Sequence, residues 1–249
     1  MRKIIVSLSK GGVAKTTTAV HLAHGLAKRG RKVLLVDTDT QGQDAVLLGV
    51  KPGLGLASVV NDAVAPQDAL QEARENLWLL AGGRELAGVR KLIDMKDFGG
   101  EQTLVEALEP LEGEFDFVIV DTAPGWDSLT VNALFYGGEV LVPASLEALT
   151  LQGIGEFIKS LERVQKFHRA LAFKYLVPTF LDGRVKKSAE IHGLLRSHFA
   201  DKLCPPIRYN VRISEAAGFG KTVFEYAPRS AGSEDYTNLT LHIERDGNE

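Results

Sequence analysis

Ser9-Lys10-Gly11-Gly12-Val13-Ala14-Lys15-Thr16-Thr17-Thr18 decides the fold of this 249-residue chain. An apolar run, Lys3–Leu8, leads straight into it, and a helical pattern, Thr16–Arg29, leads away. Strand, glycine-containing turn and helix in succession wrap backbone N–H groups around a space that suits anionic oxygens, and the helix N-terminus adds its dipole. Lys15 supplies a point charge and Thr16 a hydroxyl suited to a divalent cation. Lys10, Gly11, Gly12, Val13, Ala14, Lys15, Thr16 and Thr17 are therefore the candidate phosphate-binding residues. The usual G-x-x-x-x-G-K-[ST] pattern fails, because Ser9 and Ala14 occupy its glycine places; K-G-G-x-x-K-[ST], with an extra lysine at Lys10, fits. The bland alternative is a glycine-rich strand–helix turn with surface lysines.

Working outward, further apolar runs read as strands: Lys32–Asp37, Leu77–Ala81, Phe117–Asp121, Glu139–Pro143 and Tyr175–Phe180. They do not alternate, as expected of parallel strands covered on both faces. Helical patterns lie between them. Thr16–Arg29 stops at Gly30, Leu151–Phe167 repeats Ile154, Phe157, Leu161 and Val164, and Val185–Phe199 carries Ile191, Leu194 and Leu195 on one face. The alternation predicts an α/β fold with a doubly wound, mostly parallel sheet and helices on both faces. No repeat or long linker divides the chain, so 1–249 reads as one domain, with Val50–Pro66 its loosest, surface-lying part. One cysteine, Cys204, excludes an intramolecular disulfide framework and reads as a small buried residue. No apolar run approaches the ~18 residues of a membrane span. The basic N-terminus reads as a buried strand rather than a signal peptide, so the default location is cytoplasmic.

Two strands end in carboxylates. Val36-Asp37-Thr38-Asp39-Thr40-Gln41-Gly42 and Val120-Asp121-Thr122-Ala123-Pro124-Gly125 fall where strands of an open α/β sheet gather their reactive groups. Asp121 follows four apolar residues, the arrangement that holds Mg²⁺ beside a phosphate loop. Asp37 and Asp39 can equally cap the next helix.

The loop resembles the deviant Walker-A motif of the ParA/MinD superfamily of P-loop NTPases, whose members also include nitrogenase iron protein and ArsA-like ATPases. That resemblance implies ATP and Mg²⁺ as cofactors. It implies that Lys10 crosses a homodimer to the partner's nucleotide, with Lys10, Lys15 and Asp39 as catalytic residues and Thr16, Asp37 and Asp121 around the metal. Val36–Gly42 resembles the family's D-x-D-P-Q-G segment, by which Asp39 would orient the attacking water; Thr40 replaces the usual proline, and Ala123 departs from D-x-P-P. The likeness continues through Thr179–Arg184, Ile207–Asn210, Ser214–Ala216, Gly220-Lys221, Phe224–Tyr226 and the Ser233–Ile243 helix, and is strongest to ParA-like DNA-partitioning ATPases. Relatives contact the adenine base near Pro205–Asn210.

Residues 151–230 carry 14 Lys/Arg against 7 Asp/Glu, while the remainder carries 15 against 25. Arg184, Lys186, Lys187, Arg208, Arg212 and Lys221 cluster in that basic part; they either form a sequence-independent DNA surface or are simply solvated. The resemblance implies an ATP-state homodimer that binds non-specific DNA, is nucleoid-associated, and is released by hydrolysis, slow alone and stimulated by a ParB-like adaptor. Three rival classes are set against it. The first is MinD-like or protein-cargo positioning; its membrane-docking form needs a basic amphipathic tail, whereas Leu241–Glu249 is acidic and polar. A dethiobiotin-synthetase-type amidoligase needs a pocket for a small carboxylate acceptor. Iron–sulfur carriers need paired cysteines, and His168, His192 and His198 share no metal-ligand pattern. With the loop starting at residue 10, no N-terminal helix-turn-helix is expected.

Overall fold

The computed structural model describes residues 1–246. Seven strands form one sheet: β1 (Arg2–Val6), β2 (Val33–Asp37), β3 (Gln71–Arg74), β4 (Leu77–Leu80), β5 (Phe117–Asp121), β6 (Glu139–Ser145) and β7 (Ala172–Thr179). Their spatial order is β3-β4-β2-β5-β1-β6-β7, and every pairing is parallel except β3 with β4. The helices in the first half are α1 (Lys15–Ala27), α2 (Gln43–Leu48), α3 (Leu56–Val60), α4 (Pro66–Ala69), α5 (Leu86–Asp94) and α6 (Thr103–Leu108). Those in the second half are α7 (Ser128–Tyr136), α8 (Thr150–Gln165), α9 (Lys186–Phe199), α10 (Val211–Gly218), α11 (Val223–Tyr226) and α12 (Ala231–Asp246).

The central strands are short apolar runs because both faces are covered. Alternate residues feed opposite cores. Ile4, Val6, Leu35 and Ile119 pack with α1, α2 and α12; Ile5, Leu34, Val36, Val118 and Val120 pack with α3 and α5 to α9. The register aligns Val6 and Asp37 with Asp121, so β1, β2 and β5 end at one edge. That edge is where the phosphate loop departs.

Three expectations are corrected. Val50–Pro66 is not a loose excursion: it contains α3, and Leu56, Val59 and Val60 are buried in the core while Leu56 N–H donates to Ala81 O at 2.9 Å. β3, Gln-Glu-Ala-Arg, is an edge strand with no apolar run to announce it. The last strand begins at Ala172 rather than Tyr175 and stops at Thr179, with Phe180 beyond it at a left-handed φ of 57°.

α12 lies against α1. Its apolar side chains Tyr236, Leu239 and Ile243 are buried, and Gly25 permits the approach, since a methyl there would collide with Thr240 Oγ1. Two histidines of α1, His21 and His24, are buried at this junction. His21 Nε2 accepts from Val223 N–H at 3.0 Å, so its Nδ1 carries the proton and donates to Thr17 O at 2.7 Å; its ring stacks on Tyr236 with centroids 4.5 Å apart. Burial lowers the pKa of each to about 4. Both are therefore neutral when folded and take up protons on unfolding at mildly acid pH. Their folded-state pKa is depressed, so their contribution is full above about 6.5, the unfolded value, and falls as pH drops toward about 4. In urea titrations, wild type is expected to lose stability relative to His21→Gln as pH is lowered through that window. A pH-independent difference would show that His21 does not titrate in this way.

Candidate nucleotide site

β1 delivers the chain to the loop, and α1 begins directly after it at Lys15. Gly12 and Ala14 both take left-handed backbone conformations, φ 72° and 68°. This is routine for glycine and strained for alanine. The turn thus needs the conformation that the missing glycine would have supplied.

Lys15 is buried, and its Nζ donates to Lys10 O at 2.8 Å, bracing the loop from within. Burial lowers its pKa, opposed by the charges of Asp121 and Asp39. Thr16 Oγ1 donates to Asp121 Oδ2 at 2.7 Å, while Asp121 Oδ1 is buried with no hydrogen-bond partner. Asp37 accepts at Oδ1 from Asp39 N–H at 2.8 Å and at Oδ2 from Asp44 N–H at 3.4 Å. Burial raises Asp37 to about 7, against these backbone donors and one from Gly82. Burial also holds Asp121 well above the usual carboxylate range. Asp39 is half-buried in the cleft wall, and its Oδ1 accepts from Gln41 N–H at 3.0 Å. An orphaned buried carboxylate oxygen beside a threonine hydroxyl and a lysine fits a Mg²⁺–phosphate pair: hard oxygen ligands for the cation and donors for the anion.

Lys15, Thr16 and Asp39 line a cleft of about 800 Å³, which also takes in Phe180, Tyr209, Asn210, Ile213 and Tyr236, while Asp37 and Asp121 are buried. The Ile207–Asn210 segment thus forms the far wall of the same cleft. Lys10 Nζ stands at the loop, paired with Glu147 at 2.7 Å; both side chains are substantially exposed.

The sequence-predicted loop residues and the three strand-end aspartates come together here. The basic residues disperse. Arg208 is bound to Asp235 at 2.6 Å and Glu234 at 2.7 Å, and these partners push its pKa further up. Arg184 pairs with Asp182 at 2.7 Å and Arg212 with Glu215 at 2.7 Å. Lys186 and Lys187 open α9, exposed, with no acidic residue in its first turn and no ion-pair partner among the described residues. Lys221 follows Gly220, which packs on Gly49 at the end of α2. Cys204 is buried, and burial pushes its thiol up to about 12. His168 Nε2 contacts Gly137 O at 2.7 Å, and His198 Nδ1 contacts Leu194 O at 2.8 Å.

Three features escaped sequence reasoning. Glu147 is one; its only signal is its place just past the end of β6. Gly82 is another, where any Cβ would sit 2.7 Å from Asp37 Oδ1. Asp44, the second residue of α2, is completely buried among the aspartates.

With this geometry in place, comparison with known proteins is informative. The AAA domain family profile matches residues 1–173. The chain is similar to the chromosome-partitioning ATPase Soj of Thermus thermophilus, 35% identical over 98% of this chain and 95% of the relative. It is also similar to the sporulation initiation inhibitor protein Soj of Bacillus subtilis, 33% identical over 99% and 100%. Among solved structures, cobyrinic acid a,c-diamide synthase from Mycobacterium smegmatis with bound ADP and magnesium superposes with a TM-score of 0.86 at 30% identity, covering 100% of this chain and 96% of that one.

Replacing Ala14 by glycine relieves the left-handed alanine. Ala14→Gly is expected to raise unfolding free energy by about 0.5–1 kcal/mol in urea, part of the relief being offset by the freer unfolded chain. Unchanged or lower stability would show that the conformation is not strained.

Proposed function

The chain belongs to the Soj/ParA family of chromosome-partitioning ATPases, and we propose that it is a DNA-partitioning ATPase whose ATP-bound homodimer holds DNA without sequence preference. In this reading residues 1–249 act as one ATPase domain, cytoplasmic and nucleoid-associated.

The observation that carries the proposal is the state of Lys10. Among the described residues its ammonium pairs with Glu147 only, through an ion pair between exposed groups, and such pairs contribute about 0–1 kcal/mol. It can therefore be exchanged readily for a nucleotide phosphate on a facing subunit. Lys15 gives up Lys10 O to take phosphate oxygens, and the Gly11–Thr17 backbone supplies the remaining donors. Thr16 and Asp121 hold Mg²⁺, with Asp37 behind them; bound there, the ion neutralises phosphate charge. Asp39 lies on the cleft wall where it can position water, and phosphoryl transfer depends mainly on positioning and charge neutralisation. Basal turnover is slow in this reading, and a ParB-like adaptor accelerates it.

Lys186 and Lys187 are the preferred DNA contacts. Cations at the positive end of a helix dipole cost about 0.3–1 kcal/mol each. With no acidic partner offsetting that cost, an external anion would. Arg184, Arg208 and Arg212 already satisfy carboxylates and contribute less. Membrane docking is disfavoured because the apolar face of α12 is consumed against α1. No helix among the described residues is long and apolar enough to cross a membrane. The terminal Gly247–Glu249, part of the tail whose polarity counts against membrane docking, lie outside the described residues. The likeness to the M. smegmatis synthase favours one second reading, an amidoligase using the same cleft for a small carboxylate acceptor.

DNA retention with ATP, ADP or no nucleotide across a salt series tests this directly. Retention is expected with ATP alone and should vanish in Lys10→Ala. Lys186→Ala and Lys187→Ala should each weaken it and lower the log–log salt slope by about 1 for each phosphate no longer neutralised. Indifference to DNA in every nucleotide state would contradict the proposal and turn attention to the amidoligase reading.

A further inference from the structure

Asp44 has no role in the site as described above, yet no other side chain in it is in a more demanding position. It is fully buried, and neither carboxylate oxygen has a hydrogen-bond partner. Asp121 Oδ1 nearby is in the same condition. One oxygen each from Asp37, Asp44 and Asp121 lie within 4.8 Å of one another, and all three residues are buried. Protonation would remove the charge but leave the Asp44 carboxyl without an acceptor for its O–H, so it answers only part of the cost. A buried carboxylate without partners is among the most costly groups a fold can keep.

We propose that Asp37, Asp44 and Asp121 form a buried site that binds one hard divalent cation in the absence of nucleotide, with Asp44 the ligand that makes it possible. A Ca²⁺-sized ion with oxygens at about 2.3–2.6 Å spans up to about 5 Å between ligands, so the observed spacing admits a common centre. Three carboxylates without sulfur or imidazole select Mg²⁺, Mn²⁺ or Ca²⁺ over zinc or copper. The geometry favours the larger, more flexible ions over Mg²⁺, which dehydrates reluctantly. Asp44 N–H already donates to Asp37, so a cation on these side chains would also fix the start of α2 against the end of β2. The site lies behind Thr16, which bonds to Asp121 Oδ2 and leaves Oδ1 for the ion.

This inference concerns the nucleotide-free protein and is separable from the partitioning proposal: a protein that ignores DNA still either binds the ion or does not. The test uses the full chain, stripped with chelator and free of nucleotide. Mn²⁺ uptake is read from loss of the free-ion EPR signal, with Mn²⁺ and Ca²⁺ thermal-shift series alongside. Wild type is expected to take up about one Mn²⁺ per chain and to melt at higher temperature with either ion. Asp44→Asn keeps the shape and removes the charge. It should bind Mn²⁺ about tenfold or more weakly, lose the ion-dependent shift, and be at least as stable as wild type in chelator. Asp44→Ser serves as a second variant. Failure of nucleotide-free wild type to take up Mn²⁺ overturns the inference whatever the variants do. Uptake that both variants retain at wild-type strength overturns it equally, by placing the ion elsewhere.

Discussion

Lys15 Nζ, buried beneath the loop, donates to Lys10 O, and beside it Asp121 takes the hydroxyl of Thr16. Around these two bonds the fold buries Asp37, Asp44 and Asp121 with only one buried lysine to balance them. The rest of the molecule serves this imbalance. Parallel strands bring the aspartates to one edge, and helices on both faces exclude water from it. The site gains most when a cation and an anion arrive together, the condition an ATP–Mg²⁺ complex meets. Affinity and conformational response then have a common origin in unmet charge.

The same imbalance explains how the loop communicates outward. Lys10 O is occupied by Lys15, so the loop's shape and the lysine's position are coupled. Withdrawing Lys15 toward phosphates frees the Lys10 segment. Among the described residues its side chain is paired with Glu147, between β6 and α8. Cleft occupancy therefore bears directly on how Lys10 is held. On the opposite wall, Ile207–Asn210 is hydrogen-bonded to the end of β7, since Leu181 N–H donates to Ile207 O and Tyr209 N–H to Leu181 O. Arg208 is anchored on α12 through Asp235.

The phosphate loop, Asp37, Asp39 and Asp121 were legible because each follows an apolar strand, a pattern in which local sequence and sheet edge coincide. The central strands and α1, α8 and α9 were legible for the same reason. Elements stabilised by tertiary context were not. β3 is polar because it pairs at an edge, and α3 reads as a loop until its Leu56, Val59 and Val60 are seen beneath the sheet. Asp44 follows no apolar strand, so nothing in the local sequence announces its burial. Gly82 is a steric requirement of Asp37, and no sequence pattern encodes a contact between strand ends so far apart in the chain. The basic residues mislead in the opposite sense: clustered in sequence, three of the six are separately paired with carboxylates in space, while Lys186 and Lys187 combine charge, exposure and a helix start with no ion pair among the described residues.

On the function proposed above, nucleotide in this cleft converts a chain with a self-restrained Lys10 into a two-fold assembly. Light scattering coupled to size exclusion, with Mg·ATP, Mg·ADP and no nucleotide, measures it without requiring DNA or an adaptor. A mass near twice the chain's 27.0 kDa is expected with ATP only, and single-chain mass in the other two states. A single-chain mass with saturating ATP, or a dimer indifferent to nucleotide, would contradict it.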